Sequence, residues 1–189
     1  AEEPELARRI RRALADASDP ETTIFNFHAP PYGSKLDNAP ALTEDLLIAG
    51  PLEVDLWCST TGTDSDFIVK LIDVFPDSTN AADQPGFQMM VRSEAFRGRF
   101  RDSYERPKPF VPGKPTQVTV PLQDVLHTFQ KGHRLMLQVQ STWFPLVDRN
   151  PQVFLPNMYT AKESDCVKAV HRVWREGEKS SRVLVGSLP

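Results

Sequence analysis

The sequence predicts an all-β fold, a β-sandwich of jelly-roll type, preceded by one amphipathic helix and an extended connector. Short runs alternate apolar and polar residues with a period of two, the periodicity of a half-buried strand. The 17 prolines are many for a helical chain, because each removes a backbone donor, and they fall with glycines between those runs. One run, Phe67 to Phe75, is apolar on both faces, as a central strand covered from two sides would be. Roughly eight or more short strands separated by Pro/Gly turns point to a sandwich.

Residues 1–17 read as a helix. Leu6, Ile10 and Leu14 recur at i, i+4 and i+8, with Ala13 and Ala17 beside them and Arg8, Arg9, Arg11 and Arg12 around the rest. Pro4 lies near its start and Asp19-Pro20 ends it. Its apolar stripe needs a partner, either the domain that follows or one that precedes. Ala29 to Ala41, with Pro30, Pro31, Gly33, Asn38 and Pro40, reads as a connector, so residues 1–41 and 42–189 form separate units.

The strands follow in order. Val54, Leu56 and Cys58 alternate with Glu53, Asp55 and Trp57, and Val118, Val120 and Leu122 point inward from Thr116 to Leu122. After a turn at Gly132, Leu135, Leu137, Val139 and Ser141 share one face while Arg134, Met136, Gln138 and Gln140 share the other. Phe87 to Val91, Cys166 to Trp174 and Arg182 to Leu188 are further candidates. Cys58 and Cys166 each sit in a strand-like run without metal spacing, which favours two buried thiols over a bridge.

Composition excludes several functions. A formal charge of −3 gives no reason to expect a nucleic-acid partner. No apolar run approaches the ~20 residues that would cross a bilayer, so no membrane partner is expected. The opening AEEPELARRI has no apolar h-region, so no signal peptide is expected. The chain opens on Ala1, as a processed protein or an excised fragment would, and the compartment is not legible.

Chemistry-bearing motifs are sparse. A nucleophile elbow needs G-x-S-x-G between a strand and a helix, and neither Ser34 after Gly33 nor Ser187 after Gly186 has the second glycine. His28, His127, His133 and His171 show no metal-ligand spacing, and His133, following a turn, reads as a hydrogen-bonded structural histidine. Asp64 and Asp66 lack an EF-hand register and are expected to bond the backbone where the Phe67 strand begins. No catalytic residue, metal or cofactor is therefore assigned. Arg97, Arg99 and Arg101 interleave with Phe96, Phe100 and Tyr104, but Glu94, Asp102 and Glu105 accompany them, so the stretch reads as a solvated or domain-facing arm. Trp57, Trp143 and Phe144 are candidates for a carbohydrate platform, as in a free-standing binding module. Trp143 and Phe144 also read as plugs for the core or an interface.

Four phrases occur in order: LTEDLLIAGPLEVDLWCSTTGTDSDFIVKLIDVFPD, MMVRSEAFRGRFRDSYERPKPF, VPLQDVLHTFQKGHRLMLQVQSTWFPLVDRNP and AVHRVWREGEKSSRVLVGSLP. From about Leu42 onward the chain resembles the C-terminal domain of the X-prolyl dipeptidyl-peptidase and cocaine-esterase-like serine hydrolases. The second phrase looks closest to the α-amino-acid ester hydrolase and glutaryl-acylase-like branch. The resemblance implies a galactose-binding-like jelly roll that accompanies an upstream α/β-hydrolase domain of the same polypeptide. It implies a triad outside this chain, a supporting role at the active-site entrance, and contacts within a homo-oligomer. The expected domain-facing residues are Leu6, Ile10 and Leu14 of the helix, with Arg97, Arg99, Phe100, Arg101 and Tyr104 of the arm.

Overall fold

The computed structural model describes residues 23–25, 41–77, 82, 84–174 and 179–185. The helix expected over 1–17, with Leu6, Ile10 and Leu14, lies outside them. Among the described residues the regular structure is β, with short 3-10 turns at Gly98–Phe100, Met158–Thr160 and Glu163–Asp165.

The strands are β1 (Thr23–Phe25), β2 (Leu46–Thr60), β3 (Asp66–Val74), β4 (Gln88–Arg97), β5 (Thr116–Phe129), β6 (Arg134–Gln140), β7 (His171–Val173) and β8 (Arg182–Val185). They form two antiparallel sheets, a β-sandwich. One runs β1-β7-β2-β5, with β8 also on β2, and the other runs β4-β3-β6. β1 comes from the 1–41 unit expected to hold helix and connector, and it pairs Thr23 with Val173 and Phe25 with His171.

β2 is long enough to meet β5 along one edge and β8 then β7 along the other. Its register shifts between Gly50 and Leu52, where Gly50 takes a positive φ of 93° and Pro51 supplies no donor. A bulge at that point bends the strand around the core. Pro121 is tolerated in β5 because that strand pairs with β2 alone in its sheet.

Val54, Leu56 and Cys58 of β2 and Val118, Val120 and Leu122 of β5 meet Phe67, Val69 and Leu71 of β3 and Leu135, Leu137 and Val139 of β6. Each buried aliphatic side chain contributes about 1.5–3 kcal/mol relative to exposure, so this interleaved layer dominates the stability. Ile68 and Ile72 are buried on the other side of β3, as the doubly apolar run required. Met136 is buried on that same outer side, beside Ile72.

At one end of the sandwich Asp73 closes the gap between the sheets. Its Oδ1 accepts from His133 Nδ1 at 2.8 Å and its Oδ2 from His127 Nε2 at 2.9 Å. Asp73 belongs to one sheet and His127 to the other, so the carboxylate joins both and His133 is structural, as expected.

Some expectations need correction. The strand expected at Phe87–Val91 runs on to Arg97, and that at Cys166–Trp174 shrinks to His171–Val173. Cys58 is buried, but Cys166 is exposed, and both thiols are free. The reason is local: Lys162 N donates to Asp165 Oδ2 at 2.8 Å, closing a turn that leaves Cys166 outside the sheet. Phe144 is exposed and Trp143 half-buried, so neither plugs the core. β6 ends at Gln140, and Trp143 beyond it covers Lys70 on the outer side of β3.

Candidate functional site

Asp66 and Asp73 stand at opposite ends of β3, about 23 Å apart at ~3.3 Å per residue. Around Asp66 the β2–β3 loop, the end of β4 and the segment after β6 converge in a polar network. Asp64 Oδ2 accepts from Arg99 Nε at 2.8 Å, and Arg97 Nη1 donates to Asp66 Oδ2 at 3.1 Å. Asp66 Oδ1 accepts from Asn150 Nδ2 at 2.8 Å. The second arm of Arg97 holds both carboxylate oxygens of Asp148 at 3.1 Å. Asp64 Oδ1 also accepts from Ser65 N at 2.9 Å, the backbone bond expected of it, but the principal partners of both aspartates are guanidinium groups.

Backbone bonds fix the loops that carry these side chains. Gln152 O accepts from Thr63 N at 3.0 Å, Thr63 O accepts from Phe110 N at 2.9 Å, and Ser65 O accepts from Gly98 N at 2.9 Å. A Cβ at Gly62 would collide with the Gln152 carbonyl, so glycine permits the crossing there. Burial pushes the Asp66 carboxyl up to about 6, with Asp64 and Asp148 adding to it, against the attraction of Arg97 and the bond from Asn150.

The network contains a serine–histidine contact, since Ser65 Oγ lies 3.0 Å from His171 Nε2. That nitrogen is also 2.9 Å from Gln152 Oε1. Gln152 Nε2 donates to Asn150 O at 3.2 Å, which fixes the amide with its oxygen toward the imidazole. An amide oxygen only accepts, so His171 Nε2 carries the hydrogen and cannot take a proton from Ser65. Ser65 is fully buried and its hydroxyl donates to Asp66 O at 3.3 Å. Burial lowers His171 to about 4, so the ring is neutral. The pair is a structural bond, not an activated nucleophile.

The remaining site candidates separate. Arg99 is buried against Asp64 with its guanidinium 4.5 Å from the Phe154 ring, so it presents no surface. Arg101 donates to the carbonyls of Gly98, Lys108 and Pro109, bracing its own loop. Phe100 stacks on the exposed Tyr104 at 5.7 Å. Trp57 alternates with the inward Leu56 and Cys58 and so lies on the outer face of the first sheet. Trp143 covers Lys70, 4.1 Å from its ammonium, on the outer face of the second. Trp57 therefore cannot form one platform with Trp143 and Phe144. Among the described residues no group of His, Cys, Asp and Glu is placed to hold a metal, and no helix is long and apolar enough to cross a membrane.

The described residues thus form a β-sandwich in which the buried Ser65–His171 contact is structural. Residues 34–184 match the X-Pro dipeptidyl-peptidase C-terminal non-catalytic domain, and the chain belongs to that family. It is 31% identical over 144 residues to cocaine esterase of Rhodococcus sp. (strain MB1 Bresler), which covers 76% of this chain and 24% of that protein. An α-amino acid ester hydrolase of known structure is 45% identical with a TM-score of 0.74, covering 77% of this chain and 24% of the other. An aminopeptidase from a marine sediment archaeon (Thaumarchaeota) is 44% identical with a TM-score of 0.75, covering 78% and 24%. The chain thus matches only 24% of the length of each of these relatives.

Proposed function

We propose that this chain is the accessory β-sandwich of an α/β-hydrolase-fold serine hydrolase that cleaves ester or amide bonds. It packs on the catalytic domain of the same polypeptide and frames the active-site entrance. The observation that carries this reading is the family match over residues 34–184 together with its 24% share of an esterase, an ester hydrolase and an aminopeptidase. The structural character of the buried Ser65–His171 contact is in keeping with that reading. The galactose-binding-like jelly-roll form belongs to the same proposal and is supported by the two antiparallel sheets.

In the parent, a serine would be acylated with a histidine as base and the acyl group released to water, all outside this chain. Treating a lysate of the source with a fluorophosphonate and blotting for this sequence tests the reading. A labelled polypeptide several times larger than 21.3 kDa is expected. An unlabelled polypeptide of this chain's own size would overturn it.

A further inference from the structure

The segment that follows β6 presents Phe144, Leu146 and Tyr159 to solvent at 57, 71 and 75% exposure. Exposed apolar side chains gathered in one patch, unlike ones scattered singly, mark a place where another surface binds. The segment is firmly built: Val147 N donates to Trp143 O at 3.0 Å, Arg97 grips Asp148 through both oxygens, and Asn150 bonds Asp66. The same Arg97 lies 5.5 Å from the Tyr159 ring, so the two parts of the patch share one anchor.

The charges at its margin give the partner a chemistry. Arg149 lies over the Phe144 ring at 4.5 Å and Lys70 over Trp143 at 4.1 Å. Neither has a carboxylate partner among the described residues, whereas Arg97, Arg99 and Arg182 are each paired with aspartate. Partial burial lowers the Lys70 ammonium, which a nearby carboxylate would offset. On the opposite outer face Asp55 already binds Arg182 at 3.1 Å and Thr119 at 2.8 Å, and the Lys179 ammonium stands farther from its aromatic, 6.0 Å from the Trp57 ring. Cations stacked on the exposed Phe144 and the half-buried Trp143, and lacking anions, fit a surface that is apolar at its centre and acidic at its rim.

We propose that the face formed by Phe144, Leu146 and Tyr159, with Arg149 and Lys70 at its margin, is the docking surface for the catalytic domain of the same polypeptide, through an apolar patch rimmed by carboxylates. This rests on the accessory-module reading above and names its contact. The arm carrying Tyr104 is then outside the interface.

The chain supplies its own controls. Tyr159 and Tyr104 are 75 and 74% exposed, and Leu146 and Leu126 are 71 and 75% exposed, so each pair matches in chemistry and accessibility. Hydroxyl-radical footprinting of the full-length polypeptide, read residue by residue by mass spectrometry, is the test. Tyr159 is expected to oxidise several-fold more slowly than Tyr104, and Leu146 several-fold more slowly than Leu126. In an Arg149→Glu polypeptide both ratios should move toward unity, while Arg149→Lys keeps them. Protection of Tyr104 or Leu126 in place of Tyr159 and Leu146 would overturn this face and leave the accessory-module reading standing. Full reactivity at all four would likewise overturn this face. Protection indifferent to Arg149→Glu would remove the acidic rim from the proposal.

Discussion

Arg99 and Asp64 form an ion pair sealed inside the sandwich end, with Nε 2.8 Å from Oδ2 and side chains only 5 and 0% exposed. Nη2 also approaches Oδ2 at 2.6 Å, but without the alignment of a second hydrogen bond. The directional bond is therefore that of Nε, and the rest of the attraction is Coulombic.

Removing one partner of such a pair leaves an uncompensated buried charge. Arg99→Met is expected to cost about 3–5 kcal/mol in urea unfolding. Asp64→Asn in the same chain should recover part of that loss, a coupling that a double-mutant cycle measures directly. Additive losses would mean that the pair is not coupled.

Gly98→Ala addresses the close approach beside this pair. Its Cβ would fall 2.7 Å from ring carbons of Phe110 and 2.8 Å from Ser65 O. Phe110 is buried in the core cluster and Ser65 O is held by the Gly98 amide, so neither yields freely. A loss of about 1–3 kcal/mol is expected from the overpacking. An unchanged urea midpoint would show that the loop has room.

Two buried groups work against each other as pH changes. Asp66 titrates near 6 in the folded chain against an ordinary value of 3.8, so between those values the folded state holds a proton that the unfolded state lacks. Its contribution to stability therefore rises as pH falls through 6. His171 titrates near 4 against an ordinary 6.5, so between those values the unfolded state holds the extra proton and stability falls with pH. Each effect is worth about 3 kcal/mol at ~1.4 kcal/mol per pH unit, with opposite signs, and the two offset each other between pH 6 and 4. His171→Gln should gain stability relative to the parent chain as pH drops from 6.5 to 4, and Asp66→Asn should lose it. Urea unfolding at several pH values checks both, and parallel curves for either variant would contradict the assignment.

The two thiols differ in access. Burial pushes the Cys58 thiol up to about 12, and its Sγ points at Thr116 O at 3.5 Å, whereas Cys166 is exposed. Ellman's reagent should titrate one thiol in the folded chain and a second only on unfolding. Rapid reaction of both, or of neither, would contradict this arrangement.

The sandwich was legible because its core strands alternate so regularly: Val54, Leu56 and Cys58, then Val118, Val120 and Leu122, all reach the core cluster. The buried network was less visible. Asp64-Ser65-Asp66 opens β3 and Arg97-Gly98-Arg99 closes β4, and an antiparallel pair places those ends side by side, with Asp66 opposite Arg97. That complementary spacing was a usable signal, but a run of arginines among acids reads equally as a solvated arm. The bond between His171 and Gln152 joins residues brought together only by the loop after β6, and no local pattern encodes it. The exposure of Phe144 was hidden for a similar reason, since an aromatic before proline looks the same in sequence whether it faces core or partner.

The proposed role, a non-catalytic part of a serine hydrolase, is open to direct test. The most direct measurement labels the purified full-length polypeptide with a fluorophosphonate and maps the adduct by peptide mass spectrometry. One stoichiometric adduct is expected on a serine outside the residues matching this sequence, with Ser65 unmodified. An adduct on Ser65, or on any other serine of this chain, that disappears with the enzymatic activity in the corresponding Ser→Ala variant would contradict it.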